Sequence, residues 1–140
     1  MDRPGGVLRL RSPGRAMGPS APTICVIDDD VPFRRALQRL LGAAGFAVET
    51  FESAEQFLEP PQPAQIGCLV LDVHLGGMSG FDLQERLAAG ETSIPIVFIT
   101  AHDDAPTRER ARKAGAAGYF PKPFDDQSLI AAIHKALGRA

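Results

Sequence analysis

The sequence has few cysteines, no long apolar run and little net charge, and each shortage excludes a class of protein. Cys25 and Cys68 are its only cysteines, and they lie too far apart to form a zinc-binding spacing or a redox Cys-x-x-Cys pair. No stretch approaches the roughly 18 consecutive apolar residues that a membrane-spanning helix needs. The net charge of −2 argues against a general nucleic-acid-binding protein, because such proteins concentrate lysine and arginine.

The N-terminal segment differs in amino-acid composition from the rest of the chain. Residues 1–22 contain four arginines, one aspartate and eight glycines or prolines, with almost no apolar periodicity. Packing would not offset the entropy of ordering such a segment, and it also lacks the apolar core of a secretory signal. We therefore predict a disordered basic tail over residues 1–22, one folded domain over residues 23–140, and a cytoplasmic location.

Short apolar runs alternate with helical patterns along the folded part. The strand-like runs are residues 23–27, 46–51, 66–71, 95–99 and 118–120. Helical patterns follow them, and two begin with the spacing of a capping box, Ser53 with Gln56 and Ser79 with Asp82. Five strands alternating with five helices predict an α/β fold, a doubly wound five-stranded parallel sheet of the flavodoxin-like order 2-1-3-4-5.

Polar residues follow the predicted strands at the edge where such sheets bind ligands. In a doubly wound sheet that edge is formed by the carboxyl ends of the strands, near strands 1 and 3. Helix capping would account for one aspartate of the first group but not for the others. The residues in question are Asp28, Asp29 and Asp30 after strand 1, Asp72 after strand 3, Thr100 after strand 4 and Lys122 after strand 5.

These residue types suit phosphoryl transfer. Carboxylates brought together resist joint ionisation, and a hard divalent cation such as Mg²⁺ relieves their repulsion. Asp72 is the best candidate for the nucleophile, because it ends a central strand and precedes an open glycine-containing loop. Asp28 and Asp29 would hold the metal, and Lys122 would offset charge on the phosphoryl oxygens.

Several motifs occur in the order typical of a known family. They are Val26-Ile27-Asp28-Asp29-Asp30, Cys68-Leu69-Val70-Leu71-Asp72-Val73, Gly77-Met78-Ser79-Gly80, Phe98-Ile99-Thr100-Ala101 and Lys122-Pro123-Phe124. On these residues the chain resembles the receiver domain of two-component response regulators, within the CheY-like superfamily and its FixJ-like branch. The resemblance covers roughly residues 23–138.

The resemblance implies roles that the spacing alone does not. Asp72 would accept a phosphoryl group from a histidine kinase or a histidine phosphotransfer protein. Asp29, Asp72 and the backbone carbonyl of His74 would bind Mg²⁺ directly, and Asp28 mostly through water. Thr100 would belong to the catalytic site with Asp72 and Lys122, and Thr100 and Tyr119 would act as the switch. The face of the fourth helix, fifth strand and fifth helix would bind a downstream protein or form a homodimer. Such a domain is a regulator, with self-phosphorylation and autodephosphorylation as its only chemistry.

The sequence also departs from the family pattern. The family commonly has proline where this chain has Gly76, so we expect a looser loop after Asp72. His74 and His102 occupy positions that tune phosphoryl lifetime in the family. FixJ-like proteins usually carry a C-terminal DNA-binding domain, and because the sequence ends at Ala140 we expect a stand-alone receiver without direct DNA contact.

Two other functions remain open from the residues. One is an unphosphorylated docking module built on the same fold. The other is a Mg²⁺-dependent aspartyl-phosphate hydrolase of the haloacid-dehalogenase type, with Asp28 as the nucleophile and Asp30 as the acid. Substituting Asp28 and Asp72 in turn separates the hydrolase from the receiver.

Overall fold

A computed structural model of the chain describes residues 21–138. The predicted tail over residues 1–22 lies outside the described residues, apart from its last two positions. The strands are β1 (Thr23–Ile27), β2 (Ala47–Phe51), β3 (Ile66–Asp72), β4 (Ile96–Thr100) and β5 (Gly118–Pro121). The helices are α1 (Val31–Ala43), α2 (Ala54–Leu58), α3 (Gly80–Ala89), α4 (Ala105–Lys113) and α5 (Asp126–Ala136).

The five strands form one parallel sheet in the order β2-β1-β3-β4-β5. This order confirms the predicted fold. Because β1 and β3 lie at the centre, their carboxyl ends meet at the point where the chain reverses its direction of winding across the sheet. Residues that follow these two strands are therefore neighbours in space although they are distant in the sequence.

Alternate residues of the central strands pack into two separate cores. Cys25 and Ile27 of β1 face one core, which α2, α3 and α4 cover, whereas Ile24 and Val26 face a second core, which α1 and α5 cover. All four side chains are fully buried. A strand buried on both faces has no need of polar alternation, which explains the continuous apolar run in its sequence. The edge strand β2 alternates instead, with Ala47 and Glu49 exposed.

The two predicted capping boxes have different outcomes. At α3 the box is complete, since the Ser79 hydroxyl accepts from the Asp82 amide and the Asp82 carboxylate accepts from the Ser79 amide. At α2 the Ser53 hydroxyl accepts from the Gln56 amide, but the Gln56 side chain accepts from the amide of Glu52. The prediction at α2 is therefore wrong in its second half, because the longer glutamine side chain reaches one residue further back.

No helix within residues 21–138 is long and apolar enough to span a membrane.

Candidate metal and phosphoryl-transfer site

The sheet brings three charged side chains together in a largely buried position. Asp28 follows β1 and is fully buried, Asp72 ends β3 and is 5% exposed, and Lys122 follows β5. The Lys122 ammonium lies 3.0 Å from Oδ2 of Asp28 and 3.3 Å from Oδ2 of Asp72. We refer to Asp28, Asp72 and Lys122 as the buried ion cluster.

Each buried carboxylate is also fixed by the turn that follows its own strand. Oδ1 of Asp28 accepts from the amide of Asp30 at 2.9 Å, and Oδ1 of Asp72 accepts from the amide of His74 at 3.0 Å. One oxygen of each carboxylate is thus held by its own backbone, and the other points toward Lys122. The orientation of the cluster therefore depends on the backbone at the carboxyl ends of β1 and β3.

The charges within the cluster do not balance. Two carboxylates share one ammonium, and burial together with the charge of Asp28 raises the pKa of Asp72 to about 6, against the opposing effects of the His74 amide and Lys122. Burial by itself lowers the pKa of Lys122, but its hydrogen bond to Asp28 and the charges of Asp72 and Asp28 outweigh burial and raise it. A second positive charge would therefore be favourable here.

The donor atoms fit a hard divalent cation. Carboxylate oxygens of Asp28, Asp29 and Asp72 lie within 4.8 Å of one another. Asp29 is exposed, so water could complete the coordination on that side. Oxygen ligands from a few carboxylates, with the remaining positions open to water or phosphate, are typical of Mg²⁺ sites.

The three consecutive aspartates have three different surroundings. Asp28 belongs to the buried ion cluster, whereas Asp29 is exposed and its Oδ2 accepts from the amide of Gly76 at 3.4 Å. Asp30 caps α1, since its carboxylate accepts from the amide of Phe33 at 3.2 Å. One aspartate therefore serves as the helix cap that the sequence allows, and the other two remain available for the site.

Thr100, at the end of β4, and Tyr119, in β5, form no hydrogen bond with the buried ion cluster. Thr100 is fully buried, and its hydroxyl accepts from the amide of His102 at 2.9 Å and lies 3.2 Å from the His102 carbonyl, to which it can donate. The Tyr119 hydroxyl donates to Asp103 at 3.0 Å, and the same carboxylate oxygen accepts from Arg108. Burial, with the hydrogen bond to Asp103, raises the pKa of Tyr119 to about 12.

The loop of residues 73–79, which joins β3 to α3, contacts the site through its backbone amides. We call it the β3–α3 loop. Its His74 ring packs edge-on against the ring of His102, with the two centroids 5.1 Å apart. Gly77 has a φ of +75°, a backbone conformation that favours glycine. The backbone amides of His74 and Gly76 therefore reach the carboxylates of Asp72 and Asp29, and His102 contacts His74.

An aromatic side chain of α1 also contacts the buried ion cluster. The Lys122 ammonium lies 4.0 Å from the ring centroid of Phe33, in the first turn of α1. The ring also packs edge-on against Phe124, at 5.8 Å between centroids. A cation over an aromatic face is attracted by the ring quadrupole, and the ring keeps water from one side of the ammonium. The periodicity of α1 does not indicate this contact.

Comparisons with known proteins agree on one family. The model of the response regulator receiver domain matches residues 24–134. Nodulation protein W of Bradyrhizobium diazoefficiens is 44% identical over 116 residues, which are 83% of this chain and 51% of that protein. The solved structure of the response regulator StyR is 54% identical, with a TM-score of 0.77, over 84% of this chain and 60% of that one. The crystal structure of FixJ-N is 38% identical, with a TM-score of 0.75, over 85% of this chain and 95% of that one.

The chain spans about half the length of the curated relatives it matches. The stand-alone arrangement and the lack of DNA contact therefore stay predictions.

Proposed function

This chain belongs to the response regulator receiver domain family of two-component systems, and from that premise we propose that it is a phosphorylation switch with Asp72 as the phosphoryl acceptor. The family is regulatory, so the domain would change its binding partners and would not turn over a substrate. The donor would be a histidine kinase or a histidine phosphotransfer protein. The observation that carries the proposal is the buried Asp72 carboxylate, which shares Lys122 with Asp28.

Asp72 has the properties of a nucleophile for this reaction. With a pKa raised to about 6, it is mostly ionised at neutral pH and more basic than an ordinary aspartate. A carboxylate oxygen would bond to phosphorus while the bond from phosphorus to the donor's imidazole nitrogen breaks. The donor nitrogen keeps the electron pair, and the product is an acyl phosphate on Asp72. Mg²⁺ held by Asp29, Asp72 and the backbone carbonyl of His74, with Asp28 acting mostly through water, would offset charge on the phosphoryl oxygens.

Lys122 would serve before and after transfer. Its ammonium already contacts Oδ2 of Asp72. The Asp72 carboxylate loses its negative charge when the acyl phosphate forms. After transfer the same ammonium can donate to a phosphoryl oxygen, since Asp28 still holds it from the other side. The cation therefore does not need to leave a buried position, and little reorganisation accompanies the chemistry.

The signal would leave the site through Thr100 and Tyr119. The Thr100 hydroxyl would exchange its bond to His102 for one to the phosphoryl group, and Tyr119 would leave Asp103 and move inward. Tyr119, Arg108 and Ala111 line a groove of about 540 Å³ between α4 and β5. A change at Tyr119 would alter this groove, which lies on the α4, β5 and α5 face that we propose for a downstream protein or a homodimer.

The geometry disfavours the hydrolase alternative. Asp30 would have to be the general acid, but its carboxylate is occupied as the cap of α1. Asp28 would have to be the nucleophile, but it is fully buried and both of its oxygens are engaged, one with the Asp30 amide and one with Lys122. Asp72 also accepts from a backbone amide and from Lys122, but it keeps a small exposed area and directly precedes the β3–α3 loop.

The proposal is tested by intact mass after incubation with acetyl phosphate, with and without Mg²⁺. We expect one added phosphoryl group on the wild type only with Mg²⁺, and none on Asp72→Asn. Asp126→Asn is the matched control, because Asp126 is an exposed aspartate in the first turn of α5, with none of the hydrogen bonds that hold the buried ion cluster. An adduct of equal yield on Asp72→Asn, or none on the wild type at saturating Mg²⁺, would contradict the assignment. The second result would favour the docking module.

A further inference from the structure

The β3–α3 loop is held at each end by the site itself. The amide of His74 donates to Asp72, and the amide of Gly76 lies 3.4 Å from Oδ2 of Asp29. At the far end Gly80 packs against the backbone of Asp72, where a Cβ on residue 80 would lie only 2.4 Å from the Asp72 carbonyl oxygen. The loop also contains two consecutive glycines, Gly76 and Gly77, which have no side chains to restrict it.

A side chain from another part of the fold contacts the middle of this loop. Oε2 of Glu55, in α2, accepts from the amide of Met78 at 2.8 Å, a contact between residues 23 positions apart. A Cβ on Gly77 would lie 2.7 Å from the same oxygen, so the carboxylate rests directly on the glycine backbone. The hydrogen bond from Met78 lowers the pKa of Glu55, as expected for an amide that favours the ionised carboxylate.

The backbone of Glu55 is itself well fixed, although its side chain is exposed. The residue before it, Ala54, is fully buried, and Phe57 is 1% exposed in the core below α2. The Phe57 ring packs edge-on against Phe51 of β2 at 5.3 Å. The Ser53 hydroxyl caps the first turn of α2. A carboxylate on this short helix therefore provides a fixed point outside the loop.

From these contacts we propose that Glu55 is a positioning residue for the site: it holds the β3–α3 loop in the conformation that presents the His74 carbonyl and the Gly76 amide to the metal and the phosphoryl group. The inference rests on the proposed function, because His74 and Asp29 have their roles only there. Glu55 touches none of the reacting atoms and acts through the loop backbone. It would compensate for a loop that has glycine at position 76, where the receiver family commonly has proline.

The test measures the Mg²⁺ affinity of the full chain without any phosphoryl donor. The binding is monitored by NMR, through the amide chemical shifts of residues near the site. Glu55→Ala removes the acceptor, Glu55→Gln keeps an acceptor oxygen without the charge, and Glu59→Ala removes an exposed carboxylate from the end of the same helix. We expect Glu55→Ala to raise the Mg²⁺ dissociation constant about tenfold, at the lower end of the usual effect of residues that support metal ligands. Glu55→Gln should stay within about threefold of the wild type, since the conservative variant still accepts from Met78. Glu59→Ala should match the wild type.

A second readout examines the contact without any metal. In the wild type the Met78 amide proton shift should titrate with Glu55 at a pKa below the usual value for glutamate, and in Glu55→Gln this titration should disappear. Equal Mg²⁺ affinity in Glu55→Ala and the wild type would overturn the inference, and so would an equal loss in Glu59→Ala. Neither result would decide whether Asp72 accepts a phosphoryl group. Failure of the wild type to accept a phosphoryl group, despite normal Mg²⁺ binding, would instead overturn the proposed function.

Discussion

Two groups of polar side chains at one edge of the sheet obtain their hydrogen-bond partners in different ways. The buried ion cluster joins residues 50 and 94 positions apart, and its members have little access to water. The hydrogen bonds of the second group join residues closer in the sequence: Thr100 bonds to His102, 2 positions away, and Tyr119 bonds to Asp103, 16 positions away. A buried charge needs a charged partner, which only the tertiary structure brings close. A hydroxyl can form its hydrogen bond with a nearby residue and can exchange that partner at low cost in free energy. The first group therefore suits chemistry at a fixed position, and the second suits a movable switch.

The largest effect is expected from removing the shared cation. Lys122→Ala leaves Asp28 and Asp72 buried without a positive partner, and should lower the free energy of unfolding without Mg²⁺ by about 3 kcal/mol. Urea denaturation at pH 7.5 measures it, with exposed Lys135→Ala as the control. Added Mg²⁺ should restore part of the loss. A loss no larger than that of the control would mean that the cluster is not an interdependent unit.

A smaller effect of opposite sign is expected from Asp72→Asn. The pKa of Asp72 is raised from 3.8 to about 6, so its ionisation opposes folding: stability falls as the pH rises from about 4 to about 6, and the penalty persists above that. Without Mg²⁺, Asp72→Asn should therefore be more stable than the wild type at pH 8, by roughly 1–3 kcal/mol. Urea denaturation at pH 8 and pH 4 should show the gain shrinking at the lower pH. A gain that grows toward pH 4 would contradict the sign.

The contact between Phe33 and Lys122 should contribute less. Phe33→Leu keeps most of the apolar volume but removes the aromatic face, and we expect a loss of about 1 kcal/mol. A double-mutant cycle with Lys122→Met isolates the pair, because each single change removes the same interaction. A coupling energy indistinguishable from zero would leave Phe33 as a packing residue only.

The smallest effect is expected at Tyr119. Tyr119→Phe removes the hydrogen bond to the partly exposed Asp103, and should change the free energy of unfolding by less than about 0.5 kcal/mol. The same urea experiment measures it. A loss comparable to that of Lys122→Ala would show that the two groups do not differ in the way their bonding suggests.

Much of the fold and part of the site could be predicted from the sequence, for identifiable reasons. Buried parallel strands have continuous apolar runs, and the order of a doubly wound sheet places residues after β1 and β3 side by side. The proximity of Asp28 and Asp72 follows from these two facts. Lys122 follows β5, which is separated from β3 by β4, so its contact with the two carboxylates does not follow from the adjacency of strands. The shared hydrogen bonds depend on side-chain conformations that no periodicity encodes.

The contacts that the sequence could not predict are tertiary pairs of single side chains. Phe33 has the spacing of an ordinary core residue, and Glu55 that of an ordinary exposed helix residue. The contacts of Phe33 with Lys122 and of Glu55 with Met78 depend on how α1 and α2 pack beside the sheet. The Gln56 side chain illustrates the same limit at short range, since its reach to Glu52 was not evident from the capping pattern.

The central claim is that Asp72, and no neighbouring aspartate, takes the phosphoryl group. Borohydride reduces an aspartyl phosphate to homoserine, so reduction of the phosphorylated protein followed by peptide mass mapping identifies the acceptor directly. We predict homoserine at position 72 alone, in samples treated with acetyl phosphate and Mg²⁺. Homoserine at position 28, with an unmodified Asp72, would contradict the account and favour the hydrolase chemistry instead.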